Sequence, residues 1–119
     1  MGLFSKSKKE STKTVKTNWT DLTTVAQLDE AVVLSNSKTV VLFKHSTRCS
    51  ISASVLNKFE KQISEDVQVF YLDLIAYREV SNAIAEKFAV EHQSPQALVL
   101  RNGKVIANDS HYGINELKF

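Results

Sequence analysis

Val40-Val41-Leu42-Phe43-Lys44-His45-Ser46-Thr47-Arg48-Cys49-Ser50-Ile51-Ser52 is the stretch on which the reading of this chain turns. From Thr39 to His45 the residues are mostly β-branched, aliphatic or aromatic, which suits a strand buried on both faces. Past Cys49, the residues Ile51, Val55, Phe59 and Ile63 recur every four positions, with Leu56 widening the stripe. That spacing predicts a helix packed on a sheet. Cys49 therefore stands where a strand ends and a helix begins. Helix N-termini present free backbone N–H groups and a partial positive charge, and both favour a thiolate. Arg48 beside it acts in the same direction. Free cysteines often fill cores as inert residues, but this placement argues for a reactive one.

Working outward, Val67 to Leu74 reads as a second strand, and Arg78 to Ala89 as a second sheet-packing helix with Val80, Ile84 and Phe88 inward. Upstream, Thr24-Val25-Ala26-Gln27 has the form of a capping box, and Val25, Leu28 and Val32 share one face, so residues 24–36 are expected to be helical. After Pro95, two apolar runs flank Asn102-Gly103. Asn-Gly between such runs signals a two-residue hairpin, because both turn positions need positive φ. From Ile114 the chain has room for little more than one helical turn. The strand–helix–strand half demands parallel strands and a right-handed crossover, whereas the Asn-Gly turn forces an antiparallel pair. A four-stranded mixed sheet with helices on both faces, an α/β fold with an extra N-terminal helix, meets both demands.

Composition narrows the function classes. The 119 residues form one domain large enough for a real core. The net charge of +2 is unevenly spread. Residues 1–17 hold five lysines against Glu10 and almost no apolar side chain, and read as a disordered basic tail. The body, residues 18–119, is mildly acidic, so nucleic-acid binding through a basic folded surface is not expected. A lone cysteine excludes an intramolecular disulfide and a cysteine zinc cluster, and His45, His92 and His111 lack ligand spacing. The start has neither a signal-peptide core nor a myristoylation pattern, and no membrane-length apolar run follows. A soluble protein of a reducing compartment, the cytoplasm, is expected.

The order of elements, a cysteine opening the first crossover helix and Ser94-Pro95 just before the hairpin resemble the thioredoxin fold. In that superfamily the slot of Pro95 holds a cis-proline beside the active cysteine, where it helps hold a substrate's extended backbone. Three blocks carry a closer likeness: Phe43 to Ser52, Tyr71-Leu72-Asp73-Leu74-Ile75-Ala76-Tyr77-Arg78, and His92-Gln93-Ser94-Pro95-Gln96. With the Ser110-His111 pair, they resemble the monothiol bacilliredoxins of the YtxJ type from about Trp19 to about Leu117. Several relatives have proline after the active cysteine where this chain has Ser50, a change that should alter the thiol's surroundings and not remove its chemistry.

The resemblance implies thiol–disulfide exchange at Cys49 on mixed disulfides between proteins and bacillithiol. The cosubstrate is bacillithiol itself, no bound cofactor or metal is implied, and a bacillithiol-disulfide reductase is an indirect partner. Ser52, three residues after Cys49, stands where a dithiol oxidoreductase carries its second cysteine, so with one thiol the reaction stops at a mixed disulfide. Ser50 and Ser52 either donate hydrogen bonds to the thiolate or cap the first turn. His45 reads as a solvated strand-end histidine in preference to a group that orients or polarises the site, while His92, Gln93, Ser94 and Pro95 shape the substrate groove. Arg48, Arg78 and His111 are candidates for the carboxylates of bacillithiol. Asp73 reads as a helix-entry turn residue in preference to a proton relay, and Tyr77 and Trp19 as packing. Competing classes are an arsenate-reductase-like enzyme, which needs several arginines around an oxyanion, and an iron–sulfur carrier or adaptor on the same scaffold.

Overall fold

A computed structural model describes residues 18–118. The expected tail at residues 1–17 lies outside them. The elements run β1 (Thr20–Asp21), α1 (Ala26–Leu34), β2 (Val40–His45), α2 (Ser50–Gln62), β3 (Gln68–Asp73), α3 (Arg78–Phe88), β4 (Gln96–Arg101) and β5 (Lys104–Ser110), then a 3-10 helix, His111–Glu116. The described strands form one mixed sheet in the order β1-β3-β2-β4-β5. β2 pairs in parallel with β3 and antiparallel with β4, and β5 returns antiparallel beside β4. This is the expected α/β architecture with one strand more.

The added strand is β1, whose Thr20 and Asp21 lie parallel to Phe70 and Tyr71. Two polar residues carry no periodicity, so sequence reading passes over them. Burial at either side fixes the segment. Trp19 enters the core on the α2 face and Leu22 the core on the opposite face, and Leu22 N donates to Tyr71 O at 2.7 Å.

Strand alternation divides the interior in two. Val41 and Phe43 of β2 join Val55 and Phe59 of α2, Val69 and Tyr71 of β3 and Ile114 of the 3-10 helix. Val40 and Leu42 join Leu28 and Ala31 of α1 and Val80 and Ile84 of α3. Every residue of β2 is buried, as a central strand covered by helices on both faces requires.

The first helix differs from its expected stripe. It buries Leu28 and Ala31, while Val25 is 47% exposed. Val25 is the cap residue, one position before the helix, so the face is set by positions 28 and 31. The capping box forms only its return half: Thr23 N and Thr24 N donate to Gln27 Oε1 at 2.7 and 3.0 Å. The hairpin turn forms where expected, with φ of 54° at Asn102 and 77° at Gly103. It is seated on the end of α1, where Ser35 O accepts from Asn102 N at 2.7 Å and Ser35 Oγ from Gly103 N at 2.8 Å. No helix among the described residues is long and apolar enough to cross a membrane.

Candidate active site

The C-terminal ends of β2, β3 and β5 and the N-terminal end of β4 meet at one end of the sheet. Everything the sequence singled out for thiol chemistry gathers there. β2 delivers the loop Ser46–Arg48 to Cys49, which is half-buried and caps α2 in an extended conformation. Cys49 N donates back to Ser46 O at 3.2 Å, and Cys49 O accepts the first helical bond from Ala53 N at 3.2 Å. Arg48 and Ser50 are exposed on either side of it.

Ser52 is fully buried. Its Oγ accepts from Ser46 N at 3.0 Å and lies 2.7 Å from His45 Nδ1. Burial pulls the His45 pKa below its ordinary value against the opposing pull of Asp73, which keeps the ring neutral beside the Ser52 hydroxyl. The hydroxyl is thus engaged on both sides by groups other than the thiol. It ties the first turn of α2 to the end of β2, which corrects both readings of this serine, as a thiolate donor and as a first-turn cap. The reading of His45 is corrected with it. Instead of being solvated, His45 is buried, with its ring centroid 5.7 Å from that of Tyr71. Trp19 stacks on Tyr71 and packs against Phe59, as the packing reading expects.

On the other side of β2, Lys44 is fully buried. Lys44 Nζ lies 2.8 Å from His92 Nδ1 and donates to Gln96 Oε1 at 2.9 Å. Gln96 Nε2 donates to Glu91 O at 2.9 Å, and Ser81 Oγ of α3 lies 3.3 Å from His92 Nδ1. This network fixes the segment that leads into Pro95. Burial first and Arg78 second bring the Lys44 pKa down to about 8. Lys44, Gln96, Ser81 and Ser46 are the members of the site that sequence reading missed. The available signal was a lysine inside a run otherwise suited to burial on both faces.

The Ser94–Pro95 bond is cis, as the thioredoxin resemblance implies. Pro95 is buried and Ser94 half-buried. His111, in the left-handed region at φ 54°, donates its backbone N–H to Pro95 O at 3.0 Å, which places it beside Pro95. Arg78 opens α3 at the same end. Asp73 Oδ1 accepts from Ile75 N and Ala76 N at 3.2 and 3.3 Å, the turn role read from sequence. Tyr77 caps α3 and is 38% exposed. Arg101 is elsewhere: it donates to Thr39 Oγ1 at 2.7 Å, beside the opposite end of β2. Among the described residues no three His, Cys, Asp or Glu side chains converge as metal ligands.

A family model described as monothiol bacilliredoxin matches residues 20–119. The chain belongs to the monothiol bacilliredoxin family. A solved structure described as an oxidoreductase with a thioredoxin fold is similar to it at 34% identity, over 82% of this chain and 87% of that one, with a TM-score of 0.74. Thioredoxins from Trypanosoma brucei brucei and Fasciola hepatica, each 19% identical, share the fold. The first is covered at 86% of this chain and 87% of its own with TM-score 0.67, the second at 82% and 90% with 0.66. Family and fold together support a thiol redox function, and in this bacilliredoxin Cys49 is the one thiol available for it.

Proposed function

We propose that the protein removes bacillithiol from mixed disulfides on other proteins. The Cys49 thiolate attacks the bacillithiol sulfur of the modified protein. A Cys49–bacillithiol disulfide forms as the protein–bacillithiol disulfide breaks, and the client's cysteine leaves as a thiolate that takes a proton from solvent. A second bacillithiol thiolate then attacks the sulfur held on Cys49. This yields bacillithiol disulfide, for a bacillithiol-disulfide reductase to reduce, and returns Cys49 as thiolate. Electrons balance without a bound cofactor, because each step exchanges one disulfide for another. The partners are bacillithiolated proteins and bacillithiol, in a cytoplasm that keeps thiols reduced.

One observation carries the reading. The only thiol of the sequence caps a helix at the same end of the sheet as Pro95, and the position of a resolving cysteine holds a buried hydroxyl already bonded to Ser46 and His45. Cys49 with Arg48 and Ser50 forms the reacting end, Ser94 and Pro95 the groove, and Arg78 and His111 the recognition groups for the small thiol. Ser52 serves as the tether of that end. The arsenate-reductase alternative loses support from Arg101, which sits at the far end of the sheet and leaves only Arg48 and Arg78 for an oxyanion.

Mass spectrometry after incubation with bacillithiol-, glutathione- and coenzyme-A-modified peptides tests this. The expected product is a bacillithiol adduct on Cys49 that persists until free bacillithiol is added. Equal transfer from all three peptides overturns the choice of thiol, and no adduct at neutral pH overturns the redox reading.

A further inference from the structure

Lys44 is a cation in an unusual place. It is fully buried, and its ammonium is met by a neutral imidazole nitrogen and a neutral amide oxygen. The charged groups acting on the Lys44–His92 pair are themselves cations: Arg78 on both, and Lys44 on His92. Burying a charge without an opposite partner costs several kcal/mol, and apolar residues of the same length pack that volume without the cost. A fold that keeps a lysine there is using its charge.

The chemistry of the contact dictates which proton is where. An ammonium can only donate, so at 2.8 Å the Nδ1 atom of His92 must accept. Its ring proton therefore resides on Nε2. Burial, Lys44 and Arg78 all hold the ring neutral, so Nε2 is a donor in a ring polarised by the ammonium behind it. Among the described residues Nε2 has no hydrogen-bond partner. His92 is half-buried and lies two residues before Ser94, and the exposed Arg78 is close enough to act on its charge. A neutral donor backed by a buried cation, with a guanidinium beside it, suits an anion and has nothing to offer a cation.

We propose that His92 Nε2–H, polarised by the buried Lys44 and flanked by Arg78, forms a carboxylate subsite that holds the small-thiol half of the mixed disulfide against the Ser94-Pro95 groove. The inference rests on the reading above and deepens it, by assigning which groups recognise the acidic thiol. Lys44 is a positioning residue, since it acts through His92, and His92 touches the ligand.

Two measurements test it separately from bacillithiol transfer. The first uses the C49S protein, which cannot exchange, titrated with methylthiopropionate or with its neutral counterpart methylthiopropanol while long-range nitrogen–proton spectra of His92 are recorded. The expected result is an Nε2–H tautomer whose resonances shift with the carboxylate alone. An Nδ1–H tautomer, or the same response to both compounds, overturns the proposal whether or not the protein exchanges bacillithiol. The second compares exchange on one peptide carrying mercaptopropionate or mercaptopropanol. The wild-type protein is expected to prefer the carboxylated disulfide about tenfold, and H92F and K44M to bring that ratio to about one. A preference that survives both substitutions overturns the subsite. A collapsed ratio in the variants while bacillithiol itself is refused by the wild type leaves the subsite standing and removes the choice of thiol.

Discussion

Lys44 and His45 are neighbours in one strand, and they show two ways of using a buried base. Alternation sends them to opposite faces of the sheet. Each is buried, and each has its pKa lowered chiefly by that burial. His45 faces α2 and holds the hydroxyl of Ser52, so it fastens the helix that presents Cys49. Lys44 faces α3 and holds Gln96 and His92, so it fastens the segment that presents Pro95. One residue step in β2 thus secures both halves of the site. The neutral bracket is closed on itself, a hydroxyl between an imidazole and an amide. The charged bracket is left with a cation that no carboxylate among the described residues neutralises, and stability alone does not explain it.

The largest expected effect comes from removing the sulfur while sparing both brackets. C49S should abolish transfer of bacillithiol in the mass-spectrometric assay, with a change in unfolding free energy within about 1 kcal/mol, since the residue is only half-buried. Next, the two brackets should separate in a denaturant titration. S52A strands Ser46 N–H and His45 without their partner and should cost about 1–3 kcal/mol. K44M also strands two acceptors, but it removes a buried charge, so its cost should be smaller than that of S52A. A K44M protein less stable than S52A would break the comparison.

Smaller effects follow from the pH dependence of folding. His45 and His92 have native pKa values below the ordinary 6.5. Below that pH the unfolded chain binds protons that the native state refuses, so stability should fall on acidification from neutral pH. For Lys44 the native pKa of about 8 lies below the ordinary 10.5. The unfolded state is then the more protonated one between these values, and this group's contribution should rise across that window and vanish in K44M. Denaturant midpoints measured from pH 5 to 10 check both signs, and a flat profile would show the bases free to charge in place. The smallest effect is expected from R101Q: with its guanidinium on Thr39 at the far end of β2, bacillithiol transfer should stay within about twofold of wild type.

Much of this was legible in the chain itself. The periods of Ile51 to Ile63 and of Val80 to Phe88, the Asn102-Gly103 turn and Pro95 ahead of it are local signals, and local chemistry enforces each of them. Cys49 as a cap follows from the same reasoning. The brackets were not legible, because Lys44 with Gln96 depends on which strand lies beside which, and His45 with Ser52 on the path of the loop between β2 and α2, neither of which a periodicity records. Ser52 shows the difference most sharply. Its sequence position announces a missing thiol, and only the fold shows the work its hydroxyl performs instead. The stripe through Val25 failed for a smaller reason: the helix begins at Ala26, two residues after the expected start, which leaves Val25 as its cap.

The backbone bond from His111 to Pro95 reaches beyond the finished fold into the chain's synthesis. β2, the middle strand, lacks one neighbour until β4 has been made, and the carbonyl of Pro95 lacks its donor until the chain has passed β5. A growing polypeptide thus carries Cys49 before the strand that follows Pro95 has been made. Because domains fold as units once their parts are present, the ends of β2 and β4 come together late, after the chain has passed both.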